Sequence, residues 1–164
     1  MNVLLLMSPS YVLGLAFLIG VIAGLRSFTA PATVAWGLRL GWLSVGTSRL
    51  ASRASIAAVI IFSILAFIEL VADKLPHTPN RTSPAGLIGR FVCGAFAGAI
   101  LATAGGESLV LGAVLGGIGG IAGAFAGFQV RTRLVKALNC PDFVIAILED
   151  AVAIAGGLLI ASRF

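Results

Sequence analysis

Residues 108–130 read SLVLGAVLGGIGGIAGAFAGFQV, twenty-three positions without a charged side chain. About 20 apolar residues in a helix cross the roughly 30 Å hydrocarbon layer of a bilayer. A membrane barrel strand would instead alternate apolar and polar positions over about ten residues. The run is continuous, so it reads as a spanning helix. Its glycines, Gly112, Gly116, Gly119 or Gly120, Gly123 and Gly127, recur every three or four positions and line one helix face. Such a face lets another backbone approach closely, where packing replaces the missing hydrophobic drive. GGIGGIAG is no nucleotide fingerprint, because no strand precedes it and no acidic residue follows at the required distance.

Working outward, the rest of the chain repeats the pattern. Residues 1–25, 54–68 and 91–106 carry no charge, and 143–162 carry only Glu149 and Asp150. Five spans are expected near 9–26, 54–74, 86–105, 108–131 and 142–162, the fourth being the Gly-rich one. The first run lacks the basic start and cleavage site of a signal peptide and is expected to remain as a span. Segment 32–50 is ambiguous. It is apolar with Arg39 in its middle, and Trp36 and Trp42 suit a membrane interface. Either it lies on the surface as an amphipathic helix, or it is a re-entrant or sixth element.

Composition agrees. Of 164 residues, 59% are hydrophobic and only 10% charged, and 21 more are glycine. Soluble domains carry about 25% charge. The mean hydropathy of +1.11 excludes a water-soluble domain and a disordered chain. An all-α polytopic transmembrane bundle in one domain, 1–164, is expected. Two cysteines, Cys93 and Cys140, make no disulfide framework or zinc motif, and no metal, cofactor or nucleic-acid partner is expected. Cations divide six against five between the two sides of a five-span topology, which leaves orientation open.

Tyr11–Gly24 (YVLGLAFLIGVIAG) and Leu109–Gly123 (LVLGAVLGGIGGIAG) share VLG and IAG, and Arg follows each. Phe62, Ile64, Glu69, Val71 and Ala72 match Phe143, Ile145, Asp150, Val152 and Ala153 at a constant offset. Three crossings between the first pair would make this an inverted repeat, which is a transporter device.

The few charges fall where they are most costly. Glu149 and Asp150 lie close to the midpoint of the last span, where an ionised carboxylate costs about 2–3 kcal/mol or more. Neighbours on a helix point about 100° apart, so these two cannot easily share a partner. Glu69 and Asp73 form a second pair on one helix face. Arg26 closes the first span, where Pro31 in SFTAP is expected to break the helix again, and Arg90 opens the third. Pro76, Pro79 and Pro84 end the second span and stiffen the turn after it. His77 reads as a solvated loop residue, and Asn80-Arg81-Thr82 as an incidental sequon.

Glu69, Asp73, Glu149, Asp150, Arg26 and Arg90 are expected to line a pathway for an ion, proton or small polar solute, which makes the chain a small transporter or channel. The alternative is that they are Arg–carboxylate clamps in a membrane scaffold or interaction subunit. An intramembrane lipid-phosphate enzyme is a third class, with Arg26, Arg81 and Arg90 gripping phosphate and Glu69 or Asp73 as base. It lacks a nucleophile or metal motif, so no enzyme is expected. The bilayer, a small solute and a second copy of the chain are the expected partners.

GLRSFTAP (24–31) together with ELVADKLPHTPNR (69–81) resembles the bacterial membrane family known as domain of unknown function 4126. With the Gly-rich and acidic later spans, the resemblance covers nearly the whole chain. It implies a multi-pass protein of the bacterial inner membrane and transfers no catalytic or ligand residue.

Overall fold

The computed structural model describes residues 8–45, 49–73 and 82–164, and the side chains of 49–55 fall outside the description. Among the described residues all regular structure is helical. In chain order the helices are α1 (Pro9–Leu25), α2 (Thr29–Leu40), α3 (Arg49–Ala72), α4 (Pro84–Ala104), α5 (Leu109–Leu138) and α6 (Asp142–Ala161). Ser8, Ser83 and Ser108 cap α1, α4 and α5, each accepting from a backbone N–H three residues on. Pro9 and Pro84 follow two of these caps, where a missing N–H costs nothing.

Three helices, α4, α5 and α6, are long and apolar enough to cross a membrane, and α1 and Ile56–Ala72 of α3 are shorter apolar helices. Three of the five expected spans are thus matched by helices long and apolar enough to cross, and α3, at 24 residues, extends beyond its apolar part Ile56–Ala72. Pro31 does not break a helix. It sits in the first turn of α2, where its ring clashes with no preceding turn. Likewise α5 runs on to Leu138, beyond the expected 131, and stops at Asn139 in the left-handed conformation. Arg131, Arg133 and Lys136 are good helix formers, so charge ends the apolar run without ending the helix.

Within segment 32–50, residues 32–40 belong to α2, 41–45 form a turn and bend, and 49–50 begin α3. Eight residues of α2 are buried, from Thr29 to Val34 plus Ala35 and Gly37. A helix lying on a surface would bury one stripe only. At about 18 Å, α2 is also too short to cross the layer alone.

Contacts along α6 give the directions. Ile22 of α1 lies by Gly156 and Arg26 by Asp150, whereas Thr33 and Gly37 of α2 lie by Gly157 and Ala161. So α1 runs against α6 and α2 runs with it. The two make a helical hairpin whose tip, Arg26–Phe28, lies inside the bundle. The return of α2 adds one reversal to the chain. As a result α1 and α5 are parallel, with Gly20 against Gly116 and Gly24 against Gly120. Meanwhile α3, which runs against α2, is antiparallel to α6. One pair of the expected repeat partners is parallel and the other antiparallel, so no single operation relates both, and the inverted arrangement of α1 and α5 is not found.

The centre is where α1, α4 and α5 meet. A methyl group at Gly20 would sit 2.1 Å from the Gly116 carbonyl oxygen, and one at Gly98 2.4 Å from that of Gly112. Only glycine allows these backbones so close. Ile19, Ile22, Ala23, Ala97 and Leu101 fill the buried cluster around the junction. By contrast α3 packs chiefly on α2 and leaves Ile60, Ile64, Phe67 and Ile68 exposed.

Candidate functional site at the hairpin tip

Breaking a helix inside a bundle strands carbonyls on one side and N–H groups on the other. The sequence supplies a counter-charge for each. Arg90, itself buried on α4, donates from Nε to the Gly24 carbonyl at 2.9 Å, in the last turn of α1. Its Nη1 also donates to Gly86 O at 3.2 Å. Glu69, near the end of α3, accepts from the Ser27 and Phe28 N–H groups at 2.7 and 2.8 Å. Phe28, the N-cap residue of α2, offers no side-chain cap of its own. A cation thus meets the negative end of α1 and an anion the positive end of α2, the favourable sense for both helix dipoles.

Arg26 lies between them and is fully buried. Its Nη1 pairs with Asp73 just past α3, and its Nη2 lies 2.5 Å from Asp150 Oδ1 on α6. One guanidinium therefore ties the α1 end to two other helices. Among the described residues Arg26 Nε and Thr29 Oγ1 are buried without a hydrogen-bond partner. Their lost hydration goes uncompensated.

A second cluster sits where α5 and α6 join. Arg131 grips Asp142 with both arms of its guanidinium, Nε–Oδ1 at 2.8 Å and Nη2–Oδ2 at 2.5 Å. Its Nη1 reaches Glu149 Oε2 at 3.5 Å. The adjacent carboxylates Glu149 and Asp150 thus go to different arginines, as their divergence on the helix requires. Next to this clasp, a cavity of about 310 Å³ lies between α5 and α6, lined by Leu25, Gly127, Val130, Ile145, Leu148 and Val152 as well as Arg131 and Glu149.

The structure brings Glu69, Asp73, Asp150, Arg26 and Arg90 together around one break in the chain. Glu149 belongs to the neighbouring cluster. Gly112, Gly116, Gly120, Gly123 and Gly127 are buried on α5, Gly120 backing onto the Arg90 carbonyl and Gly127 lining the cavity beside Arg131 and Glu149. Lys74, His77, Arg81 and the Pro76–Pro79 turn lie outside the described residues. Arg131 and Asp142 were not singled out from sequence. Their signal was an arginine in the last turns of one helix and an aspartate opening the next, across the short turn Asn139-Cys140-Pro141, within reach of a long side chain. Among the described residues no group of three or more His, Cys, Asp or Glu could hold a metal ion.

Residues 13–162 match a family model described as a domain of unknown function, DUF4126. The chain belongs to this family. The match takes in the hairpin, the glycine junction and both charged clusters. No curated protein and no solved structure matches the chain.

Proposed function

We propose that this protein is a membrane scaffold or interaction subunit whose intramembrane charges are clamps. The observation that supports this reading is the engagement of all four acids. Asp73 and Asp150 face Arg26, Glu149 faces Arg131, and Glu69 is held by two backbone N–H groups. A carboxylate already neutralised by a fixed partner is a poor carrier, and it is a good tie between helices. The exposed apolar face of α3 is then the surface offered to lipid, to another chain or to a second copy.

Transport of an ion, proton or small polar solute is the second reading. It is supported by the broken α1–α2 hairpin, because interrupted helices that aim their ends at the mid-membrane are how transporters build sites. Thermal unfolding in detergent and flux in proteoliposomes separate the two. For a clamp, Asp150→Asn lowers the melting temperature sharply and changes no flux. If Asp150→Asn and Glu149→Gln melt like the parent but abolish a proton or cation flux that the parent carries, the scaffold reading fails and transport takes its place. A bacterial inner-membrane location accompanies both readings.

A further inference from the structure

Independently of those readings, we propose that the groove floored by α2, between α3 and α6, holds one acyl chain of an anionic phospholipid, with Arg39 and Arg163 at the level of its phosphate. The groove encloses about 500 Å³, within the roughly 300–1,000 Å³ of ordinary ligand sites. It runs the length of α2, from Thr29 near the hairpin tip to Leu40 and Trp42 at the other end. Phe67 and Leu70 of α3 form one wall, and Ile154 and Leu158 of α6 the other.

Its wall chemistry selects a hydrocarbon. The Thr33 hydroxyl donates to the Ala30 carbonyl at 3.0 Å, and the Ser63 hydroxyl accepts from Trp36 Nε1 at 3.2 Å. Those two hydroxyls are turned to protein partners, and apart from the unpaired Thr29 hydroxyl at the hairpin end the lining is apolar. Length points the same way. Twelve residues of α2 give about 18 Å, close to the roughly 15 Å thickness of one hydrocarbon leaflet. A solute-sized ligand would fill only part of this, whereas an extended chain fills it from end to end.

The headgroup end follows from the charges and aromatics. Trp36 is half exposed and Trp42 partly buried, both toward the C-terminal end of α2, where the interfacial preference of tryptophan places the layer's edge. Arg39 occupies the last turn of the same helix and is exposed. Arg163, also exposed, follows Ala161 by two residues, and Ala161 packs on Gly37. Two arginines thus stand at one end of a groove of leaflet length, the arrangement that suits a phosphate on a chain.

Delipidated protein in detergent is titrated with phosphatidylglycerol and with phosphatidylcholine of the same acyl chains, and bound lipid is read by native mass spectrometry. Phosphatidylglycerol is expected to bind more tightly. Arg39→Gln and Arg163→Gln, both at exposed positions, are each expected to weaken it about fivefold while leaving phosphatidylcholine unchanged. Equal binding of the two lipids, or a double variant that binds like the parent, overturns the proposal. Phosphatidylglycerol carrying a photoactivatable acyl chain places the site without relying on folding of a variant. Labelling is expected on 29–42 and 154–158. Even labelling of outward residues such as Val92 and Phe125, with α2 unlabelled, means the groove is closed by protein, either another segment of the chain or a second copy, and also overturns it.

Discussion

Gly20 on α1 meets the Gly116 carbonyl with no space for a methyl group, whereas Arg26, six residues further along, is locked between carboxylates of α3 and α6. The first contact works through absence of side chain. Backbones of α1, α4 and α5 lie against one another, and close packing holds them, joined at the end of α1 by the Arg90–Gly24 hydrogen bond, since lipid is as apolar as any helix face. The second works through charge. Beyond the tip the helices stand apart, leaving grooves on both sides of α6, and single ion pairs cross where packing does not. In this bundle the closest backbone approaches are thus at glycines, and ion pairs tie α1 to α3 and α6, on which it packs less than on α4 and α5.

The contrast breaks most visibly at Arg26. Arg26→Gln leaves Asp73 and Asp150 without their cation, and is expected to cost about 3–5 kcal/mol in reversible unfolding in detergent. The triple variant Arg26→Met, Asp73→Leu, Asp150→Leu is expected to regain most of that loss, because an apolar trio needs no compensation. Failure of the triple to recover would mean that the charges do more than tie helices.

On the other side, Gly116→Val presses a branched side chain into the Gly94 carbonyl, whose oxygen lies 2.2 Å from a methyl group placed there. Here the expected cost is about 3 kcal/mol, with no rescue from charge changes at the tip. Additivity of Gly116→Val with Arg26→Gln in a double-mutant cycle tests whether the two regions are independent units.

Glu69→Gln keeps the shape of the cap but weakens its pull on the Ser27 and Phe28 N–H groups. A loss of about 1–2 kcal/mol is expected. Amide hydrogen exchange should quicken at the start of α2 while the α1–α4–α5 junction stays protected. Smallest is Asp142→Asn. The Asp142 side chain is 62% exposed, so water screens its pair with Arg131. The change in melting temperature should correspond to at most about 1 kcal/mol.

Much of this was legible in the sequence. Uncharged runs mark where α1, α4, α5 and α6 lie, and the arginines and acids that interrupt them are those found at the two clusters. Glu149 and Asp150, being adjacent on a helix, were not expected to share a partner easily, and they face different arginines. The return of α2 was not legible. Its composition, with Arg39 among apolar residues, suits a surface helix and a buried one equally, and only the helices that cover it distinguish them. The apparent repeat failed for the same reason, since one unforeseen reversal changes every later direction. Arg131 was overlooked because it reads as an ordinary span end until the turn at 139–141 brings Asp142 beside it.

By itself, then, the scarcity of charge determined that this chain is helical and apolar enough for a membrane, because a bilayer satisfies no backbone group and so demands helices of apolar residues. The rhythm of its glycines marked the face on which another backbone can settle. Which helix settles there, that α1 and α2 fold back on each other, and which arginine each carboxylate meets were decided only in three dimensions. Those are contacts between residues up to 124 positions apart, as between Arg26 and Asp150, and no local pattern carries their partners' identity.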